Sequence, residues 1–255
     1  MSFEDACFVV ETSEKQRGTG YLVSDRLVVT CKHVVDDAKT ITVTVLGKPI
    51  TATVKPVDPQ NTVSADVAIL ELSEAVTSIN PLKFASSANA GVDWFGRGYP
   101  VFRGKPAVRL PLHGIILSTN AFDINEESSL QLNCEEAAAG DGPPMGGFSG
   151  SPVIIDGLVV GHVKRIFDDP DRPGRPLYGI LYAVPSAEIL KLLGWEGVAT
   201  PPSPPPPNSN DKATEGFLKE LKANSHSPTK IYAFMATLNS SGSIRVIINL
   251  ILGNI

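Results

Sequence analysis

Three polar residues stand where a β-rich chain could use them for nucleophilic chemistry. His33 ends the run RLVVTCKH, Asp66 opens the apolar run DVAILEL, and Ser149 sits in the glycine-rich turn GGFSGSPVI. They occur in the order His, Asp, Ser, 33 and 83 residues apart. A serine hydroxyl is a poor nucleophile near neutral pH, so a base must take its proton during attack. An imidazole, with an ordinary pKa near ~6.5, can accept that proton and return it to a leaving amine. A buried carboxylate beside it holds the ring's tautomer and stabilises the imidazolium. The glycines around Ser149 let the backbone turn so that the amides of Gly147 and Ser149 aim at one point. That arrangement is an oxyanion hole, in which one donor is worth ~10²–10³ in rate.

Taken singly, each residue has a plainer role. A histidine in a β-protein is most often a polar or core residue, an Asp before a strand is a turn former, and GGxSG is a flexible loop. The ordered set carries the weight. Asp36, Asp37 and Asp58 compete for the acid's place, but none opens a strand like VAILEL.

Many short strands must position these residues. From Ala6 to about Val184 the chain runs through segments such as ACFVVET, GTGYLVS, RLVVTC, TITVTVLG, ITATVKP, SLQLNC, SPVIIDG and LVVGHVKR. β-Branched residues dominate them, and Gly, Pro, Asn and Asp punctuate the gaps, as in antiparallel all-β domains. No long 3.6-period segment lies between the strands, so a sandwich or barrels are expected rather than βαβ units. One helix is expected over SAEILKLLG, residues 186–194, with Ser186 as its cap and Gly194 at its end. Six of the 21 prolines fall between 201 and 207. That run makes 199–210 a semi-rigid linker, with 211–255 a tail or the start of a partner-recruiting module.

With these motifs in view, residues from about 6 to 194 resemble a trypsin-like (chymotrypsin-fold) serine protease. The resemblance is closer to the bacterial DegP/HtrA-like and glutamyl endopeptidase branch than to digestive trypsins. It rests on G-T-G-Y-L-V-S with V-V-T-C-K-H, on D-V-A-I-L, on G-F-S-G-S-P, and on the later GLVVGHVKR and YGILYAVPSAEILKLL. It implies an all-β fold of two six-stranded antiparallel barrels with a closing helix at 186–194. The protease domain would span 1–198, barrel 1 about 1–84 and barrel 2 about 85–184. It also implies peptide-bond hydrolysis through an acyl-enzyme on Ser149, with His33 as base and Asp66 as orienting acid, and with no cofactor or metal. A substrate pocket is expected from Pro143 to Gly146, Val163 to Ile166 and Tyr178 to Tyr182. No acid lies in PPMG to attract a basic P1 side chain. Met145, Val163 and Ile180 favour an apolar P1, whereas Lys164 and Arg165 leave an acidic one open.

The departures from that family are equally specific. The cysteines that staple the histidine loop in secreted relatives are missing, and Val34 stands where one of them would be. Lys164 falls where relatives carry a small polar residue beside the acid. It is expected either to pair with Asp66, weakening its service to His33, or to carry a solvated head. His162 follows Gly161 by one position where glutamyl endopeptidases have two, and one step along a strand points to the opposite face. Phe148 stands where secreted zymogens place the carboxylate that receives a freed N-terminus. Control through N-terminal insertion is therefore not expected.

The 255 residues carry a net charge of −5, 42% hydrophobic residues and three cysteines without metal-like spacing. That excludes a general nucleic-acid binder, a disulfide scaffold and a zinc site. MSFEDACFVVETSEKQRG lacks a signal peptide's basic-then-apolar pattern, and no segment suits a membrane span. A cytoplasmic, reducing location is expected, with a protein or peptide as substrate and a further partner for the Pro-rich linker or tail. Two other functions fit the same chain. One is a non-catalytic protease-fold module that binds peptides, and the other is a regulatory protease controlled through its tail.

Overall fold

The computed structural model describes residues 3–56, 65–101, 108–138 and 145–198. Pro143, the Pro-rich linker and the tail lie outside them.

The first half closes into a barrel because its strands alternate. Strands β1 (Cys7–Thr12), β2 (Arg17–Leu22) and β3 (Leu27–Thr30) lead through a single helical turn, α1 (Lys32–Val35), to β4 (Ile41–Val45), β5 (Lys48–Val54) and β6 (Ala68–Leu72). The order around the barrel is β1-β2-β3-β6-β5-β4, and β4 returns to β1. In ITVTV of β4, Ile41, Val43 and Val45 are buried while the threonines between them are half-buried, as a period of two requires. Phe8, Tyr21, Leu22, Val28 and Leu70 fill this core.

The crossover carries the two-residue strand β7 (Lys83–Phe84). The second barrel follows with β8 (Asp93–Gly98), β9 (Leu110–Phe122), β10 (Ser128–Asn133), the helical turn α2 (Glu135–Ala138), β11 (Pro152–Ile155), β12 (Leu158–Asp169) and β13 (Arg172–Pro185). Its six strands run β11-β8-β9-β10-β13-β12 and close through pairing of β11 with β12, while β7 lies parallel beside β12. Trp94, Leu112, Leu132, Val160 and Phe148 fill the second core. Burying one such large side chain contributes about 1.5–3 kcal/mol. Phe148, 1% exposed, is therefore an anchor for the residue that follows it, Ser149.

Helix α3 (Ser186–Leu193) ends at Gly194, which is left-handed with φ 68° and donates its N–H to Leu190 and Lys191 carbonyls. Its start differs from expectation. Pro185 is the N-cap residue and no side chain caps the helix, so Ser186 is already its first helical residue. Strand β13 runs up to Pro185, and the fixed φ of proline turns the chain into the helix one residue early. Among the described residues no helix is long and apolar enough to cross a membrane.

Candidate active site

His33 and Asp66 meet because one helical turn and one tight turn face each other on the first barrel. Val34 and Val35 of α1 are buried, which leaves Lys32 and His33 on the open side of that turn. Asp66 occupies the middle of a three-residue turn, closed by Val67 N–H donating to Ala65 O at 2.8 Å, immediately before β6. Both carboxylate oxygens engage His33. Oδ1 accepts the backbone N–H at 2.9 Å, and Oδ2 lies 2.5 Å from ring Nδ1. With Nδ1 occupied, the ring nitrogen left for other chemistry is Nε2. The side chain of His33 is 50% exposed and that of Asp66 is 9% exposed, so the acid is shielded while the imidazole meets the solvent. Burial alone would raise the Asp66 pKa. The hydrogen bonds and charge of His33 outweigh it and hold the carboxyl down at about 2.

Across the cleft, Ser149 sits at the junction of two successive turns. Phe148 N–H donates to Met145 O at 3.2 Å, and Ser151 N–H to Phe148 O at 2.9 Å. Each turn has a glycine with positive φ at its third position, Gly147 at 94° and Gly150 at 87°. A side chain fits neither place. A Cβ on Gly147 would lie 2.4 Å from Tyr99 O, and one on Gly150 would lie 2.0 Å from Thr19 O. Among the described residues, the backbone amides of Gly147 and Ser149 donate to no backbone acceptor. The carbonyls here are all engaged: Ser149 O accepts from Thr19 N–H, Gly147 O from Thr19 Oγ1, and Gly146 O from Val101 N–H, each at 2.8 Å.

One cleft of about 710 Å³ joins the two walls. His33, Asp66 and Ser149 all line it, and so do Met145, Gly146, Val163, Lys164 and Arg165. Ile180 does not. It pairs with Asn133 of β10 in the body of β13; Ile166, at the end of the expected stretch, does line this wall, and Gly174 joins it. The sequence also offered no sign that Glu127 would reach the cleft.

The trypsin-like peptidase domain family matches residues 18–161, more than half of the chain. The chain belongs to that family. Among solved structures, the active form of the Rv3671c protease from M. tuberculosis is 26% identical, with a TM-score of 0.54 over 79% of this chain and 85% of that one. Its inactive form is also 26% identical, with a TM-score of 0.53 over 75% and 89%. The HtrA-type protease AlgW, solved with a tripeptide, shares the fold at 20% identity, with a TM-score of 0.58 over 75% of this chain and 60% of that one. A search of curated protein sequences found no match. The molecule is a serine protease of the trypsin-like fold.

In this protease Lys164 does not pair with Asp66. Its Nζ lies 2.7 Å from Asp123 Oδ2 and 2.9 Å from Glu127 Oε2, and Arg165 Nε lies 3.2 Å from the same Asp123 oxygen. The reason is a bulge. The register of β12 on β13 slips between Val163 and Arg165, so Lys164 is the extra residue. The bulge turns Lys164 inward, where its side chain is 1% exposed and that of Asp123 is 0% exposed. Nor does Lys164 carry a solvated head. Lys164 and Arg165 thus both have carboxylate partners.

His162 is buried and does not line the cleft. Its Nε2 donates to the backbone carbonyl of Asp66 at 3.1 Å. Burial is the main cause pushing its pKa down to about 4, so it holds this bond as a neutral ring. All three cysteines are buried and none is in a disulfide. Cys31 donates its thiol to Val163 O at 3.2 Å, and burial followed by the charge of Asp66 drives its pKa well up, so it is no nucleophile. Cys31, His33 and Asp66 place potential ligand atoms within 4.8 Å of one another. The 2.5 Å between Nδ1 and Oδ2 is a hydrogen-bond length, however, whereas two such ligands on one tetrahedral ion stand roughly 3.3 Å apart.

Proposed function

We propose that this protease is an endopeptidase that works through an acyl-enzyme on Ser149. In the reaction Ser149 Oγ attacks the scissile carbonyl while its proton passes to His33 Nε2. The carbonyl oxygen becomes an oxyanion facing the amides of Gly147 and Ser149. His33 then gives its proton to the departing amine, the C–N bond breaks, and water attacks the acyl-enzyme by the same route in reverse roles. Asp66 stays ionised and orients the ring. No step calls for a metal or cofactor.

The observation that carries this reading is the double grip of Asp66 on His33, ring and backbone together, on the same cleft as Ser149. Among the described residues the amides of Gly147 and Ser149 donate to no backbone acceptor, which supports it. The non-catalytic alternative drew on a Lys164–Asp66 pair, and Lys164 is committed to Asp123 and Glu127 instead. For substrate class, Met145, Val163 and Ile166 on the cleft wall favour an apolar P1 side chain. Three buried cysteines outside any disulfide fit a reducing, cytoplasm-like compartment.

Cleavage profiling on a peptide library tests the reading. Cuts after apolar residues that vanish in Ser149→Ala are expected. Cuts after acidic or basic residues would overturn the specificity, and cuts that survive in Ser149→Ala would overturn the mechanism.

A further inference from the structure

We infer that Thr19, on β2 of the first barrel, is the positioning residue that helps fix the conformation of Gly147, whose amide binds the oxyanion, on the second. The inference rests on the assignment of Ser149 and Gly147 above.

Thr19 is 0% exposed and touches the nucleophile loop at two points. Its N–H donates to Ser149 O at 2.8 Å. Its hydroxyl has one proton, and the partners decide where that proton goes. The Tyr99 amide, 3.0 Å from Oγ1, can only donate, so the hydroxyl accepts there and sends its own proton to Gly147 O at 2.8 Å. Thr30 Oγ1 donates in turn to Thr19 O at 2.7 Å, which fixes the strand itself.

The consequence follows from peptide planarity. In a trans peptide the C=O and N–H point in opposite directions. Val101 N–H holds Gly146 O at 2.8 Å, so the Gly147 N–H on the same plane is turned away from Val101. Thr19 holds the carbonyl on the other side of Gly147. Both planes flanking a residue at φ 94° are thus pinned by outside groups. Such pinning is needed here because glycine has no side chain to restrict its rotation. Without the hydroxyl, Gly147 O and Tyr99 N–H both lose their partner in a buried place. The Gly147–Phe148 plane then loses its pin, the Gly147 amide is held from the Gly146 side alone, and catalysis suffers more than substrate binding.

The test measures hydrolysis of a chromogenic peptide with an apolar P1 residue, and inhibition by a peptide boronic acid, in the full chain. The variants are Thr19→Val, which keeps the shape without the hydroxyl, Thr19→Ser, which keeps the hydroxyl, Val101→Pro and Ser149→Ala. Thr19→Val is expected to lower kcat about ten- to hundred-fold, to weaken the boronate by a similar factor, and to leave KM within about two-fold. Thr19→Ser is expected to restore the wild-type values. Val101→Pro removes the other pin at a partly exposed residue and is expected to lower kcat likewise. A folded Thr19→Val with wild-type kcat, a loss that Thr19→Ser does not repair, or a loss confined to KM would overturn the inference. If Thr19→Val does not fold, Val101→Pro decides: a lowered kcat supports the pinning and a wild-type kcat overturns it. Hydrolysis surviving in Ser149→Ala would instead remove the underlying reading of the site.

Discussion

The two walls of the cleft are held in opposite ways. On the first barrel, side chains do the work: Asp66 spends both oxygens on His33, and two buried valines fix the turn that carries the ring. On the second barrel, the wall around Ser149 is almost wholly main chain, two turns with glycines at positive φ and carbonyls tied off by neighbours. Each wall also borrows a pin from the other barrel. Thr19 of β2 holds the carbonyls of Gly147 and Ser149, while His162 of β12 holds the carbonyl of Asp66. Neither half of the site is therefore set by its own barrel alone, and any shift of one barrel against the other disturbs both.

The sharpest way to break this comparison is to delete one residue from each wall. Ser149→Ala and His33→Ala are each expected to lower kcat on the order of 10⁴–10⁶, and the double variant to be no worse than either single one. An additive double variant in a kinetic assay would show that the walls do not act as a unit. Asp66→Asn comes next, with a loss of about 10⁴ because the ring's tautomer is no longer held. Since Asp66 sits at about 2, it remains ionised down to that pH. An acid limb of kcat/KM between pH 5 and 8 is therefore not expected to come from Asp66, and a pH–rate profile in which Asp66→Asn shifts such a limb would contradict that.

The buried ion cluster gives a smaller effect, seen in stability. Lys164→Ala leaves Asp123 and Glu127 without their shared cation, and a loss of about 3 kcal/mol is expected in chemical denaturation. An unchanged midpoint would mean that Arg165 alone satisfies Asp123.

His162 gives the smallest effect and the most diagnostic one. Its folded pKa, about 4, lies below the ordinary imidazole value. Below pH 6.5 the unfolded chain binds a proton that the folded chain refuses. Stability is therefore full above about 6.5 and falls as the pH drops towards 4. At pH 4.5 the expected loss from this ring is about 2–3 kcal/mol. His162→Gln keeps a donor for Asp66 O and should flatten the slope over that window while largely retaining activity. His162→Phe should flatten it too, but lower kcat. Identical slopes in wild type and His162→Gln would contradict the buried neutral ring.

This difference between the walls also explains what could be read in advance. His33, Asp66 and Ser149 are recognisable because acid–base chemistry needs those side chains, and the alternating strands mark the barrels. The glycines at 147 and 150 announce a special turn. Its partners were not legible, because Thr19 looks like any strand threonine and its bonds reach across 128 residues to Gly147. The face of Lys164 is hidden from the sequence for a local reason. Strand alternation assigns it a face, and a one-residue bulge reverses that assignment in a way composition does not signal. The place of Ile180 away from the cleft is hidden similarly, since the register of a long hairpin with several shifts decides which residues reach it. The Ser186 cap was displaced by a neighbouring proline already committed to the strand.

The central claim is that the wall built from side chains activates the serine held by the wall built from main chain. Fluorophosphonate labelling of the full chain, with the modified peptide mapped by mass, tests it most directly. The account predicts one label per molecule, on Ser149, formed rapidly in the wild type and slowed by orders of magnitude in His33→Ala. An unlabelled Ser149 in folded protein, or equal labelling rates with and without His33, would contradict it.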